Sequence, residues 1–297
     1  MNLQNLYNKA LDRLLPKDEL FGKFMGLLDK KIEEARQALF ERFEWQCAQS
    51  PKSARFMYEN NTMYGFIPEE GVESALKHGT VAIGQIGLAE ALNILLGKDQ
   101  TSEEGMAAAI EIEKLFSRRC REFKQKYKMN VGVYLTPAEN LCHTAMCRFK
   151  AKYGELDGIS VNKYFTNSIH VPVWDKVDPF EKADIESKLA NYSNAGCIFY
   201  AEFDASIQDN TEALEKFILY AIEKCDMPYI ACNVPSDFCN GCGYQGLIDG
   251  DCPKCGCSDI QRLRRITGYL TGDYNTAFNT GKRQETEMRV KHNGIEA

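Results

Sequence analysis

Four cysteines toward the end of the chain have the spacing of metal ligands. Residues 239–257 read C-N-G-C-G-Y-Q-G-L-I-D-G-D-C-P-K-C-G-C, so Cys239 and Cys242 form one C-x-x-C knuckle and Cys252 and Cys255 a second, nine residues apart. Thiolates at i and i+3 of a turn can face one ion, and two such turns complete a tetrahedral site. Gly243 and Gly256 let the backbone curl so that its amides point at sulfur. Zinc is the expected ion, with an iron-sulfur cluster as the rival and incidental reduced thiols as the bland alternative. Cys257 leaves the fourth ligand open, although only Cys255 has the two-residue gap from Cys252. Four protein ligands leave no open position, so the ion is expected to be structural.

Two further stretches carry polar groups suited to a ligand. In TPAEN, Thr136 can cap a helix, Pro137 suits its first turn and Glu139 completes a capping box. A helix N-terminus at the end of a strand is also an anion site, through free amides and the positive dipole end. In YFTNSIHVPV, Asn167, Ser168 and His170 can bond a substrate or satisfy backbone near a strand end. His143, beside Cys142 and Cys147, has no zinc spacing and reads as a surface or packing histidine. Cys47 reads as a helix thiol.

The elements that must position these groups change character along the chain. Leu3 to about Gln49 is helical, read as two helices, and a helix capped by Thr101 and Glu104 runs to about Lys128 with Ile110, Ile112, Leu115, Phe116 and Cys120 on its inner face. Beyond it, VGVYL (131–135), CIFYAEF (197–203) and YIACNV (229–234) read as strands. Between the last two, Asp209 to Cys225 is helical, with Leu214, Phe217, Ile218, Tyr220, Ala221 and Ile222 toward the core. Strand, helix and strand at this spacing imply α/β architecture with a parallel sheet. The mixed charges from Lys282 to Lys291 suggest a solvated helix.

Composition is that of a soluble globular protein: 297 residues, 44% hydrophobic and 26% charged. A net charge of -6, with only Arg262 to Arg265 locally basic, argues against nucleic-acid binding. The apolar run Val81–Gly97 is broken by Gln85, Glu90 and Asn93, so no membrane role is expected. Twelve cysteines behind an N-terminus without signal-peptide character point to the reducing cytoplasm.

After the knuckles come RRITGYL (264–270), FNTGK (278–282) and RVKH (289–292). In this order, and with YFTNSIHVPV, YLTPAEN and HGTVAIGQIGLAEAL upstream, the chain resembles the anaerobic, or class III, ribonucleotide reductases over most of its length. The resemblance implies a ten-stranded glycyl-radical-type α/β barrel, of which this chain would be the C-terminal half. It further implies that Gly268 stores the radical. The chemistry of glycine fits: a Cα radical spreads over the flanking amides, and without a side chain the centre can flatten and approach a sulfur. Taken alone, Gly268 would read as a turn glycine.

By the same resemblance, Thr136, Ala138 and Glu139 would lie in the loop that holds substrate phosphates, with Asn167 and Ser168 beside the substrate. Residues 1–237 would be a helical lead-in and barrel half, 238–262 the zinc module and 263–297 the radical loop and tail. The reaction implied is reduction of ribonucleoside triphosphates with formate. A separate activase using S-adenosylmethionine and an iron-sulfur cluster would install the radical. The family's cysteine-bearing loop has no counterpart in residues 1–77, so an N-terminal half is expected as partner, and a split protein, a degraded gene and a trimmed chain all fit. The alternatives are a silent zinc-ribbon or assembly subunit, or a different glycyl radical enzyme.

Overall fold

The structure is a computed structural model describing residues 17–60, 62–135, 138, 140–264 and 274–291. Helices α1 (Lys17–Cys47), α2 (Arg55–Glu59) and α3 (Glu73–Leu76) precede strand β1 (Thr80–Ile83), followed by α4 (Leu88–Leu96), α5 (Glu103–Tyr127), β2 (Asn130–Leu135) and α6 (Asn140–Tyr153). Next come α7 (Pro179–Ala190), β3 (Gly196–Cys197), β4 (Phe199–Glu202), α8 (Thr211–Glu223) and β5 (Ile230–Asn233). The chain continues with β6 (Ser236–Cys239), β7 (Gln245–Gly246), β8 (Ile260–Leu263), α9 (Tyr274–Ala277) and α10 (Thr280–Met288). The mixed α/β class read from the sequence is present, and the three apolar runs fall on β2, β3 with β4, and β5. Of the stretch expected to form two N-terminal helices, Lys17–Cys47 is one helix, and residues 1–16 lie outside the described residues. No helix among the described residues is long and apolar enough to cross a membrane.

The chain divides into two compact units, one of Met1–Gly84, Glu111–Tyr134 and Tyr192–Ala195, the other of Gln85–Ile110, Leu135–Asn191 and Gly196–Ala297. In the first, β1 and β2 pair in parallel from Thr80↔Asn130 to Ile83↔Val133. The chain passes so close at the end of β1 that a Cβ on Gly84 would stand 2.5 Å from the carbonyl oxygen of Tyr134, which only glycine permits. On α5, Arg119 reaches Glu33 at 2.6 Å and Asp29 at 3.2 Å, both on α1.

In the second unit, β4 and β5 pair in parallel and α8 connects them, forming a β-α-β unit. The α8 ring of Phe217 packs on Phe199 at 6.0 Å, Phe203 at 5.6 Å and Phe180 at 5.6 Å. Phe217 and Ala221 are its buried residues, whereas Ile222, expected near the core, is 50% exposed. One cap differs from expectation. Asp99 engages both the amide and the hydroxyl of Thr101, and Ser102, one residue later, accepts the Gly105 amide at 3.1 Å.

The tail is the larger correction. Helix α10 is not a solvated helix: Gly281, Lys282 and Glu285 are buried. Glu285 holds Arg289 at 2.9 Å and pairs with Lys282, so the charges read as a solvent face satisfy one another inside. Asn279 caps the helix by accepting the Lys282 amide at 2.8 Å, and Phe278 is buried beside it. A Cβ on Gly281 would meet the His143 Cβ and the Lys163 carbonyl oxygen, each at 2.7 Å. His143 is thus a packing residue whose role is to seat the FNTGK turn. Gly281→Ala should loosen α10 by about 1–3 kcal/mol through overpacking, read as faster amide hydrogen exchange along the helix.

Candidate functional site

The sulfurs of Cys239, Cys242, Cys252 and Cys255 all lie within 4.8 Å of one another. Two of the separations, Cys239 to Cys255 and Cys242 to Cys252, are 3.6 Å. Tetrahedral Zn–S bonds of about 2.3 Å place sulfurs about 3.8 Å apart, so the four thiols have the size of a metal site. The fourth member is Cys255. Cys257 packs instead under Gly241, where an added Cβ would lie 3.0 Å from its sulfur.

The two knuckles are built alike. Gly243 donates its amide to the Cys239 carbonyl at 2.9 Å while Cys239 donates to Tyr244; Gly256 donates to Cys252 at 2.8 Å while Cys252 donates to Cys257. Both glycines have positive φ, 74° and 72°, the conformation the curl requires. Burial alone would push the Cys239 thiol up, but the amides of Cys242 and Gly241 and the neighbouring thiols outweigh it and hold it down to about 7.

The module is a small antiparallel sheet, β7-β6-β8, whose core is Cys239, Ile248, Cys252 and Ile260. Strand β8 leads directly to Arg264. Asp237, on β6 and 0% exposed, accepts the Ile248 amide at 2.9 Å and pairs with the Arg264 guanidinium through both carboxylate oxygens. Gly268 itself lies outside the described residues, as do Thr136, Glu139 and His292.

A second cluster follows β2. The side-chain oxygen of Asn167 accepts the Ala138 amide at 2.8 Å and the Cys142 thiol at 3.0 Å. Ala138 and Asn167, both expected beside a substrate, therefore meet, and they meet at a buried thiol that spacing alone did not single out. The signal was available: Cys142 falls in the first turn of α6, directly after TPAEN.

Among the described residues, the segment 166–171 makes one isolated strand bridge, Ile86–Asn167, and distant buried side chains satisfy much of the rest. Glu90 accepts both the amide and the hydroxyl of Thr166 at 2.8 Å; Gln100 donates to the carbonyls of Ile169 at 3.1 Å and His170 at 2.7 Å. Glu186 accepts the Val171 amide at 2.9 Å and bonds His170 at 3.0 Å and Lys182 at 2.8 Å. Ser168, buried, takes a φ of 44°, strained for a non-glycine residue. The hydrogen bonds of His170 thus run to the scaffold. Burial drives the Glu90 carboxyl above its ordinary range.

The family model described as "Anaerobic ribonucleoside-triphosphate reductase" matches residues 5–292. The chain belongs to this family. The anaerobic ribonucleoside-triphosphate reductase of Escherichia coli (strain K12) is 33% identical over 285 residues, which cover 91% of this chain and 40% of that protein. The reductase of the same name from Enterobacteria phage T4 is 28% identical over 299 residues, 97% of this chain and 47% of its own length. The chain therefore spans less than half of these reductases. Among solved structures, one anaerobic ribonucleotide reductase superposes with a TM-score of 0.72 at 18% identity, over 99% of this chain and 44% of that one. The Thermotoga maritima anaerobic ribonucleotide reductase in complex with dATP and CTP superposes with a TM-score of 0.60 at 18% identity, covering 97% of this chain and 44% of its own. At these identities the superpositions speak for a shared reductase fold.

Proposed function

We propose that this chain is the C-terminal, radical-bearing part of an oxygen-sensitive anaerobic ribonucleoside-triphosphate reductase, working in the cytoplasm. The observation that carries the reading is the four-thiol group at the foot of β8, from which the chain runs straight into RRITGYL, in a member of this family. Gly268 stores the radical after an S-adenosylmethionine and iron-sulfur activase removes a hydrogen atom from its Cα. An N-terminal half supplies the catalytic cysteine and the remaining strands of a ten-stranded barrel. Formate is the reductant: one ribose hydroxyl leaves as water while formate is oxidised to carbon dioxide.

Cys239, Cys242, Cys252 and Cys255 hold a structural zinc ion, which supplies a rigid cross-link. Asn167, with Ser168, Thr136, Ala138 and Glu139, forms the substrate end, where Glu139 caps rather than contacts phosphate because a carboxylate repels it. Asn167 is presented by the Glu90, Gln100 and Glu186 scaffold.

Electron paramagnetic resonance after anaerobic activation tests the reading. The chain should give a doublet-type organic radical signal that is absent from Gly268→Ala, and air should then cleave the wild-type backbone at Gly268. A wild-type chain that neither takes up a radical nor fragments would leave the silent zinc-binding subunit as the better description.

A further inference from the structure

Among the buried charged groups of the described residues, the Asp237–Arg264 pair includes the first residue of RRITGYL. Asp237 is fully buried, and the Arg264 side chain is 16% exposed. Both carboxylate oxygens are engaged, Oδ1 by Arg264 Nη1 and Oδ2 by Arg264 Nη2 at 3.4 Å and by the Ile248 amide at 2.9 Å. Arg264 also donates to the carbonyl of its neighbour Leu263 at 2.9 Å. The register supports this geometry: Asp237 lies opposite Arg262 and Cys239 opposite Ile260, so one four-residue strand carries a thiol ligand near one end and the carboxylate near the other.

A two-pronged carboxylate–guanidinium contact fixes orientation as well as distance, which a single ammonium contact does not. Residues after the segment have contacts of their own. The Asn279 side-chain amide bonds Asn140, the Thr280 hydroxyl lies 3.3 Å from His143, and Gly281 sits against the same ring.

We propose that Asp237 is the positioning residue for the radical-bearing segment: it clamps Arg264 at the entry, while the α6–α10 contact clamps the exit. The inference rests on the reading of Gly268 given above. Cys239 ties β6 to the thiol group, β6 pairs with β8, and Asp237 of the same strand holds Arg264 where the chain enters residues 265–273. Asp237 acts through Arg264 and touches neither substrate nor reacting atoms.

The test compares the full chain with Asp237→Asn in three readouts: bound metal per chain, tryptic cleavage after Arg264 followed by mass spectrometry, and radical spins per chain after anaerobic activation. Asp237→Asn should keep its metal, be cut after Arg264 about tenfold faster because the opened form is more populated, and take up fewer spins than wild type. Asp237→Glu, which keeps the charge, should recover part of both. Unchanged cleavage would overturn the clamp, and faster cleavage with a normal spin count would overturn its positioning role. If Asp237→Asn loses metal, Arg264→Gln replaces it, since that variant leaves the Asp237–Ile248 bond in place; cleavage is then compared with wild type at the bond after Arg265, and the same two outcomes decide. A wild-type chain that accepts no radical counts against Gly268 instead, and the protease comparison, which needs no radical, still decides whether the clamp exists.

Discussion

Cys252→Ser will lose its metal and with it the ordered module from β6 to β8, while the rest of the chain stays folded. Apart from the thiols, the buried core of this module consists of Ile248 and Ile260. Its strands are two to four residues long. So small a core supplies little stability, and segments of this kind depend on the ion for folding, with apparent metal-binding free energies of about 10–16 kcal/mol in isolated zinc peptides. Serine removes one of four ligands and the strongest reason for two glycines to hold positive φ. Elemental analysis should show the metal gone, and amide exchange should rise across Ser236–Cys239 and Ile260–Leu263 while β4 and β5 stay protected. Retained metal with unchanged protection would remove Cys252 from the ligand set. Cys257→Ser is the control, and it should keep the ion.

The second large effect is expected in the tail. Burial pushes the Glu285 carboxyl up, but Arg289 and Lys282 more than compensate and bring it to about 2, below its ordinary 4.5. Glu186 behaves alike: burial raises it, Lys182 and His170 lower it further, and it also reaches about 2. For carboxyls depressed on folding, the stabilisation is complete above the unfolded value near 4.5 and disappears as pH falls through about 2. Glu285→Gln takes away the carboxylate that Lys282 and Arg289 share and leaves Arg289 to Glu202 at 3.6 Å, a loss of about 3–5 kcal/mol. Hydrogen exchange of the α10 amides should report that loss at neutral pH, and the difference between variant and wild type should shrink in the acid window. A variant as protected as wild type at neutral pH would mean that the remaining partners of these side chains, Glu202 for Arg289 among them, are sufficient.

The thiol centre was legible in the sequence because its determinants are local: ligand spacing, and a glycine after each knuckle. The strands were legible for the same reason, as short apolar runs. The tail was not. Lys282, Glu285 and Arg289 have the periodicity and charge of a solvent face, and only the three-dimensional pairing of opposite charges makes their burial tolerable. Asn167 was found by its place in a motif, but its support was not, since Glu90 lies 76 residues from Thr166 and Gln100 lies 69 from Ile169. Asp237 was read only as the border of the cysteine-dense stretch, because nothing in S-D-F-C announces a fully buried carboxylate.

The two knuckles share one backbone plan, yet their sulfurs do not share one environment. Cys239 and Cys252 are buried, Cys242 is half-buried and Cys255 is exposed. Metal exchange therefore has a preferred order: the bond to Cys255 is the first that a chelator, an incoming ion or an oxidant can reach. An alkylating reagent that competes with the metal should mark that thiol before the other three. For an ion held by these four thiols, Cys255 would be the side open to solvent.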